Sequence, residues 1–573
     1  MTRKTKFISA ALAFAVSFSS LPALASDPDH TTMEDVANRL YWGIMELSPA
    51  NLHFYQSTTD NLPITLDQPL GSFSEEQEEL HTLLDELSAE LKKIDFFALD
   101  THDRQVYLSM QDFIAADQTL LSLPDYASTL GPMGGLLSTV DTIMTEYYLL
   151  SETDVLNYLD LISDIPRFLD DLILEISYQE SIGYAPSSYA YASALEHEEV
   201  LTTIENHPYL NAFLSNIEEC SLADEKVSAY ADQLTVLLTD TVIPAYTAFF
   251  DVLEEKSADA SESRGLCEFE QGKEYYSALA SANTGTDMTP EEMMKYLEQK
   301  IASDMGNMSR LYFMNPSAFD DIESMTLSWS SPEDMLQVLS EKSLEYFPLI
   351  DNTEYILSYL PEALEVENNL AYYMTPPSDL PSRNVIRVNG SEVADDPLVL
   401  WTTLSHEGFP GHLYQSQYFM QNICRYPVEH MLGSLGTSEG WAFYVERLAL
   451  DWAGIDSDIA DIYWYNNTIS MGLTAIIDIG VNYEGWTVSD LQSYLVNYFG
   501  ELEPESVQEL FDTAANDPGI YLPYAVGYYQ ITDLFNNIDQ NYSSDKEMYT
   551  AFLNYSNLPF TLLTAYLGSD GSI

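Results

Sequence analysis

The spacing of apolar residues predicts helix along most of this chain. From Ser74 to Ile94, Leu80, Leu83, Leu84, Leu87 and Leu91 recur at three- and four-residue steps among Glu and Lys, as in an amphipathic helix with one buried face. Thr289-Pro290-Glu291-Glu292 sets a Thr N-cap before Pro at the first helical position, opening a helix through Ile301. Ser331-Pro332-Glu333-Asp334 repeats the device before Met335 to Leu344. Alternating patterns are scarce. The best runs from Asn384 to Asn389, with Val385, Arg387 and Asn389 on one side and Ile386 and Val388 on the other. The expected fold is mainly α with a small β element.

The chain has 573 residues, 46% of them hydrophobic, which is enough to bury a large core. It has no repeat and no long Pro/Gly-rich linker, so one compact unit is expected, in two helical lobes over 26–270 and 271–573. Residues 1–25 read as a secretory signal: Arg3, Lys4 and Lys6, then the largely apolar Phe7 to Leu21, then Ala23-Leu24-Ala25 with cleavage after Ala25. The apolar run is short for a membrane span, and no later stretch of uninterrupted apolar residues reaches the required length, so no stable membrane insertion is expected. No Cys lies at the cleavage point, which argues against a lipid anchor there. The expectation is a secreted or extracytoplasmic protein.

Export permits a disulfide between Cys220 and Cys267, leaving Cys424 free. Three Cys neither staple so long a chain nor fit a zinc-cysteine pattern. A formal charge of -70 repels nucleic acid and anionic membrane surfaces and favours solubility. The four basic residues from 383 to 447 are all Arg: Arg383, Arg387, Arg425 and Arg447. Each is expected in a structural ion pair unless it serves a substrate carboxylate. Arg387, with Asn389 beside it, is the preferred substrate-binding candidate because it lies in the apolar stretch just upstream of the motif described next.

That motif is His406-Glu407-Gly408-Phe409-Pro410-Gly411-His412, followed by Glu439 in Ser438-Glu439-Gly440-Trp441-Ala442. Two imidazoles and a downstream carboxylate form the ligand set of a catalytic zinc ion, one per chain, and Glu407 stands beside the first ligand as a proton acceptor. The two His are six apart, about 120° out of phase on an ideal helix. Pro410 lacks an N–H, Phe409 before it is turned away from α, and Gly411 can take conformations closed to other residues, so the helix should break and loop His412 back. Glu446, seven residues beyond Glu439, shares its helix face and is either an orienting partner or the ligand itself. His430 matches no pattern and is read as structural.

The segments HEGFPGHLYQ and SEGWAFYVERL resemble the signature of the domain of unknown function 885 family, helical bacterial proteins related in motif to the gluzincin metallopeptidases. Asp517-Pro518-Gly519 through Tyr528 resembles its C-terminal block, and Tyr372 to Pro377 with Ile386 to Asn389 forms a weaker match. The resemblance implies a large helical zinc-peptidase-like fold with a cleft. It favours Glu439 as third ligand, and it raises Tyr524, with Tyr528 as substitute, as donor to an oxyanion. The resulting expectation is a zinc peptidase acting on short peptides, with Glu407 as general base and, by analogy, an edge strand near the zinc helix receiving the peptide. The alternatives are a non-catalytic peptide-binding protein and a zinc hydrolase of another amide or ester.

Overall fold

The computed structural model describes residues 31–568 apart from 67, 72–76, 134, 323–324, 352–353, 361–369 and 391–395. The proposed signal segment lies outside the described residues, as does part of the Ser74 helix start. The described chain is dominated by helices. Those that frame the site are α1 (Met33–Leu47), α2 (Gln77–Leu91), α3 (Thr101–Leu121), α4 (Glu152–Ser181), α5 (Gly272–Thr284), α6 (Pro290–Met314) and α7 (Pro332–Tyr346). After a small sheet come α8 (Pro397–Glu407), α9 (His412–Asn422), α10 (Leu435–Trp452), α11 (Ser457–Ile479) and α12 (Leu522–Ile538).

The leucine stripe read from sequence does bury: Leu80, Leu84, Leu87 and Leu91 of α2 lie against Val36, Leu40 and Ile44 of α1. The Thr289 cap closes a reciprocal capping box with Glu292, and α6 runs on to Met314, well beyond Ile301. Ser331 caps α7 through the Asp334 N–H.

Among the described residues the sheet has three strands, β1 (Ile356–Tyr359), β2 (Ala371–Met374) and β3 (Val385–Val388), in the order β1-β3-β2. β3 pairs parallel with β1 and antiparallel with β2. The strand read from sequence is therefore the central one. Both of its edges are occupied, so it cannot receive a peptide, and the edge-strand expectation fails there. β2 is buried too, with Ala371 and Tyr373 almost fully enclosed.

Two of the apolar clusters cross the expected lobe boundary near residue 270. One joins α1 to α3 with Val428, Met431 and Leu432. The other joins Leu120 and Tyr126 to α5, α6, α11 and α12. The helical stretch Asp224–Ser257 is long and apolar enough by composition to cross a membrane. In this fold it sends Leu234, Leu238, Phe249 and Leu253 into the N-terminal core. Cys220, Cys267 and Cys424 are all free thiols, so the Cys220–Cys267 bridge that export would permit is not formed.

Candidate metal centre

Helix α8 begins at Pro397, where the Asp396 side chain accepts hydrogen bonds from the N–H groups of Leu398 and Val399. It ends at Glu407, and α9 starts at His412. The helix thus breaks between the two His, as the Pro and Gly residues predict. The break is compact: the Gly411 N–H donates to the Ser405 carbonyl at 3.0 Å. A Cβ at Gly411 would meet the His406 carbonyl oxygen at 1.9 Å, so only glycine fits. From α10, the Trp441 indole N–H donates to the Pro410 carbonyl at 2.9 Å and holds the loop against the helix that carries Glu439.

The outcome is convergence. His406 Nε2 lies 3.3 Å and His412 Nε2 3.4 Å from Glu439 Oε2, and all three residues are buried. Glu439 Oε2 makes no aligned hydrogen bond to either ring. Two imidazole nitrogens and one carboxylate oxygen, each within 4.8 Å of the others with no Lys or Arg in the group, suit a zinc ion. Glu446 sits on the opposite side of His406, its Oε1 2.7 Å from Nδ1. That is where an orienting partner of a metal-binding imidazole would stand, and Glu439 is the carboxylate that faces both Nε2 atoms.

The charges agree with this division. Burial alone would lower the His406 pKa, but Glu439 and Glu446 outweigh it and raise the imidazole well above its ordinary value. Burial works against the Glu439 anion, yet the positive charges of His412 and His406 beside it hold its carboxyl far below the usual range. Glu446, by contrast, is raised by its burial.

Glu407 is fully buried, and its Oε2 accepts the Tyr373 backbone N–H at 2.8 Å. Its Oε1 lies 4.0 Å from His406 Nε2. β2 is thus the strand that reaches the site, through a main-chain group no side-chain motif could reveal. Tyr524, in the first turn of α12, stacks on the His406 ring at 6.3 Å between centroids and 21° between planes. Tyr528 is engaged elsewhere, its hydroxyl accepting from the Trp464 indole at 2.8 Å.

The close approach of α10 and α12 sets Tyr524 over His406. A Cβ at Gly440 would fall 2.4 Å from the Gly527 carbonyl carbon, and one at Gly527 would fall 2.2 Å from the Gly436 oxygen. Gly436 and Gly440, four apart on one helix face, are the sequence signal for this contact.

Arg387 is not poised for a ligand. Its Nη2 donates to Glu146 Oε2 at 2.8 Å, its Nε reaches the same carboxylate, and its Nη1 bonds Ser358. Tyr372 also donates to Glu146, at 2.7 Å. Arg383 pairs with Glu219, Arg425 with Asp100, and Arg447 with Asp451 and Asp461, so each of the four arginines is in an ion pair. Asn389 is buried just past β3, where its N–H donates to the Leu370 carbonyl. His430 lies in the short turn Pro427–His430, outside the metal group, and burial lowers its pKa to about 4.

The protein thus combines a mainly helical fold with a buried group of two His and one Glu. The chain belongs to the family of bacterial proteins of unknown function designated DUF885, whose sequence profile matches residues 57–565. Two solved proteins share the fold. One from Colwellia psychrerythraea, provisionally described as a lipoprotein, has a TM-score of 0.77 at 16% identity, covering 94% of this chain and 99% of that one. One from Shewanella oneidensis, provisionally described as a lipoprotein of unknown function, has a TM-score of 0.67 at 14% identity, covering 94% and 100%. No curated protein matches the chain.

Proposed function

We propose that this protein is a zinc-dependent peptidase acting outside the cytoplasm on short peptides. The observation that carries the reading is the buried convergence of His406, His412 and Glu439, with Glu407 next to the first ligand and Glu446 on its far nitrogen. His406, His412 and Glu439 would hold the ion through one atom each. When bound, zinc polarises water and the scissile carbonyl.

Glu407, fixed by the Tyr373 N–H, takes a proton from the attacking water and passes it to the leaving amine. Glu446 keeps Nδ1 of His406 protonated and Nε2 turned inward. Tyr524, parallel to His406, donates its hydroxyl to the developing oxyanion. The depth of the group favours slender, extended substrates over folded proteins. Substrate carboxylate recognition is assigned to no described arginine, since Arg387 is committed to Glu146. The signal-like N-terminus and the lipoprotein description of both structural neighbours support an extracytoplasmic location.

The test is zinc content and peptide hydrolysis for the purified chain and Glu407→Gln, read by mass spectrometry on a mixed peptide library. The reading expects stoichiometric zinc in both proteins and cleavage by the wild type alone. Zinc without cleavage of any peptide sinks the peptidase assignment in favour of a peptide-binding protein or another hydrolase.

A further inference from the structure

A cavity of about 60 Å³ lies away from the metal group, between α3, α5 and the segment that leads into α10. Asp117 of α3 lines it. Only 4% of this residue is exposed, and its Oδ2 is buried without a hydrogen bond. Two turns earlier on α3, Ser109 Oγ lines the same cavity, also buried and without a partner. No Lys, Arg or His is among the described residues that line it. Asp112, exposed on α3 and repelled by Asp287, adds negative charge. A buried carboxylate with no donor costs several kcal/mol of lost solvation unless a proton or a cation neutralises it. Burial does push the Asp117 carboxyl well above the ordinary range.

The walls determine which cation fits. Calcium asks for six or more oxygens within about 2.6 Å. Ser109 and Asp117 are eight residues apart, roughly 12 Å along the helix axis, so no single ion touches both. Asp112 and Asp117 are five apart, about 140° around the axis, and flank the face rather than converge. The apolar part of the lining is Phe113, Leu120, Leu279, Met431 and Leu432. One buried carboxylate in a largely apolar cavity matches an ammonium group on a short methylene chain.

We infer that this cavity is a binding site for a small aliphatic primary ammonium ion, with the ammonium paired to Asp117 and the methylenes against Leu120, Leu279 and Leu432. The site does not depend on the peptidase reading. It adjoins Ser434, the N-cap of α10, whose helix carries Glu439 five residues on.

The test is calorimetric titration of the full purified chain with n-butylammonium, using n-butanol and calcium ions as comparison probes, together with thermal unfolding. The expectation is saturable n-butylammonium binding, no heat from n-butanol, and at least about tenfold weaker affinity in Asp117→Asn. Asp117→Asn is close in shape and removes an unpaired buried acid, so it should fold. Ala116→Leu gives a second variant: it fills the cavity from the same helix, spares the carboxylate and should also abolish binding. The inference is overturned by absence of n-butylammonium binding to wild type, by equal binding to both variants, or by a stabilisation from calcium alone that Asp117→Asn removes.

Discussion

Two groups of this molecule bring imidazole and carboxylate ligands together in the same compass, two His with a Glu in one and a His with two Asp in the other. His406, His412 and Glu439 form one, and Asp100, His102 and Asp103 the other; in both, three ligand atoms lie within 4.8 Å. Their surroundings differ. In the second, Asp100 caps α3 and accepts from Arg425 at 2.8 Å, Asp103 accepts from the Tyr426 hydroxyl at 3.0 Å, and His102 Nε2 lies 3.0 Å from Glu429. Protein donors and a guanidinium already neutralise those carboxylates, and Asp100 is exposed. The first group is buried throughout, contains no Lys or Arg, and presents Glu439 Oε2 to two imidazole nitrogens without an aligned hydrogen bond. On the proposed zinc reading, what separates the two groups is charge that no protein cation has already compensated, which a metal ion would neutralise.

The largest effect should separate the two groups outright. His412→Ala is expected to abolish stoichiometric zinc, while His102→Ala leaves zinc content at the wild-type level. Metal analysis by emission spectrometry on the dialysed proteins checks both, and equal loss in the two variants would mean that the two groups do not differ in metal binding. Glu407→Gln should retain zinc and lower peptide turnover by about 10²–10⁴-fold, the range for loss of a general base.

Glu446 allows a finer cut. It touches only the far nitrogen of His406, so Glu446→Gln should weaken zinc affinity by about 10–100-fold without abolishing binding. A competitive chelator titration measures this. Complete loss, equal to that of His412→Ala, would make Glu446 a ligand.

Much of the first group was legible in the sequence, because each of its side chains belongs to a chemically recognisable run. The break at Phe409-Pro410-Gly411 follows from local backbone restrictions, and the seven-residue step from Glu439 to Glu446 follows from helix geometry. Sequence reasoning also favoured the assignment of Glu439 over Glu446, but only the far side of His406 distinguishes an orienting carboxylate from one between the Nε2 atoms. What the sequence did not show lies in distant partners, strand neighbours and a backbone group. Arg387 looked available because its partner, Glu146, is 241 residues away. The strand at Asn384 looked like an edge because its neighbours are four-residue strands of weak pattern. Tyr373 acts through its backbone N–H, which leaves no mark in residue type. The Asp100 group lies within four consecutive positions, but the partners that compensate it, Arg425 and Glu429, lie more than 300 positions away.

Packing under the two groups differs as well. α10 and α12 touch through Gly440 and Gly527 with no room for a Cβ, whereas the Asp100 group rests on side-chain hydrogen bonds that can relax. Gly440→Ala should therefore cost about 1–3 kcal/mol by overpacking. Part of the loss should appear as reduced zinc affinity, because the helices that carry Glu439 and Tyr524 are pushed apart. Denaturant unfolding with and without zinc separates the two contributions.

The smallest effect belongs to the second group and has a defined sign. Burial would lower His102, but its hydrogen bond to Glu429 and that residue's charge outweigh burial and raise its pKa above the ordinary value, with Asp103 helping and Arg425 opposing. Glu429 is fixed as the acceptor by the N–H groups of Arg425 and Tyr426, both at 2.8 Å from its Oε1. A His held above its unfolded value contributes stability that is fully present below about pH 6.5 and is lost as pH rises through the folded-state value. Wild type should therefore lose on the order of 1 kcal/mol relative to His102→Gln between about pH 6 and pH 9, the scale of one charge-assisted hydrogen bond. Denaturant midpoints across that range check it. A difference that grows with pH would mean that His102 is neutral in the fold and that Glu429, rather than the ion pair, organises the loop from Arg425 to His430.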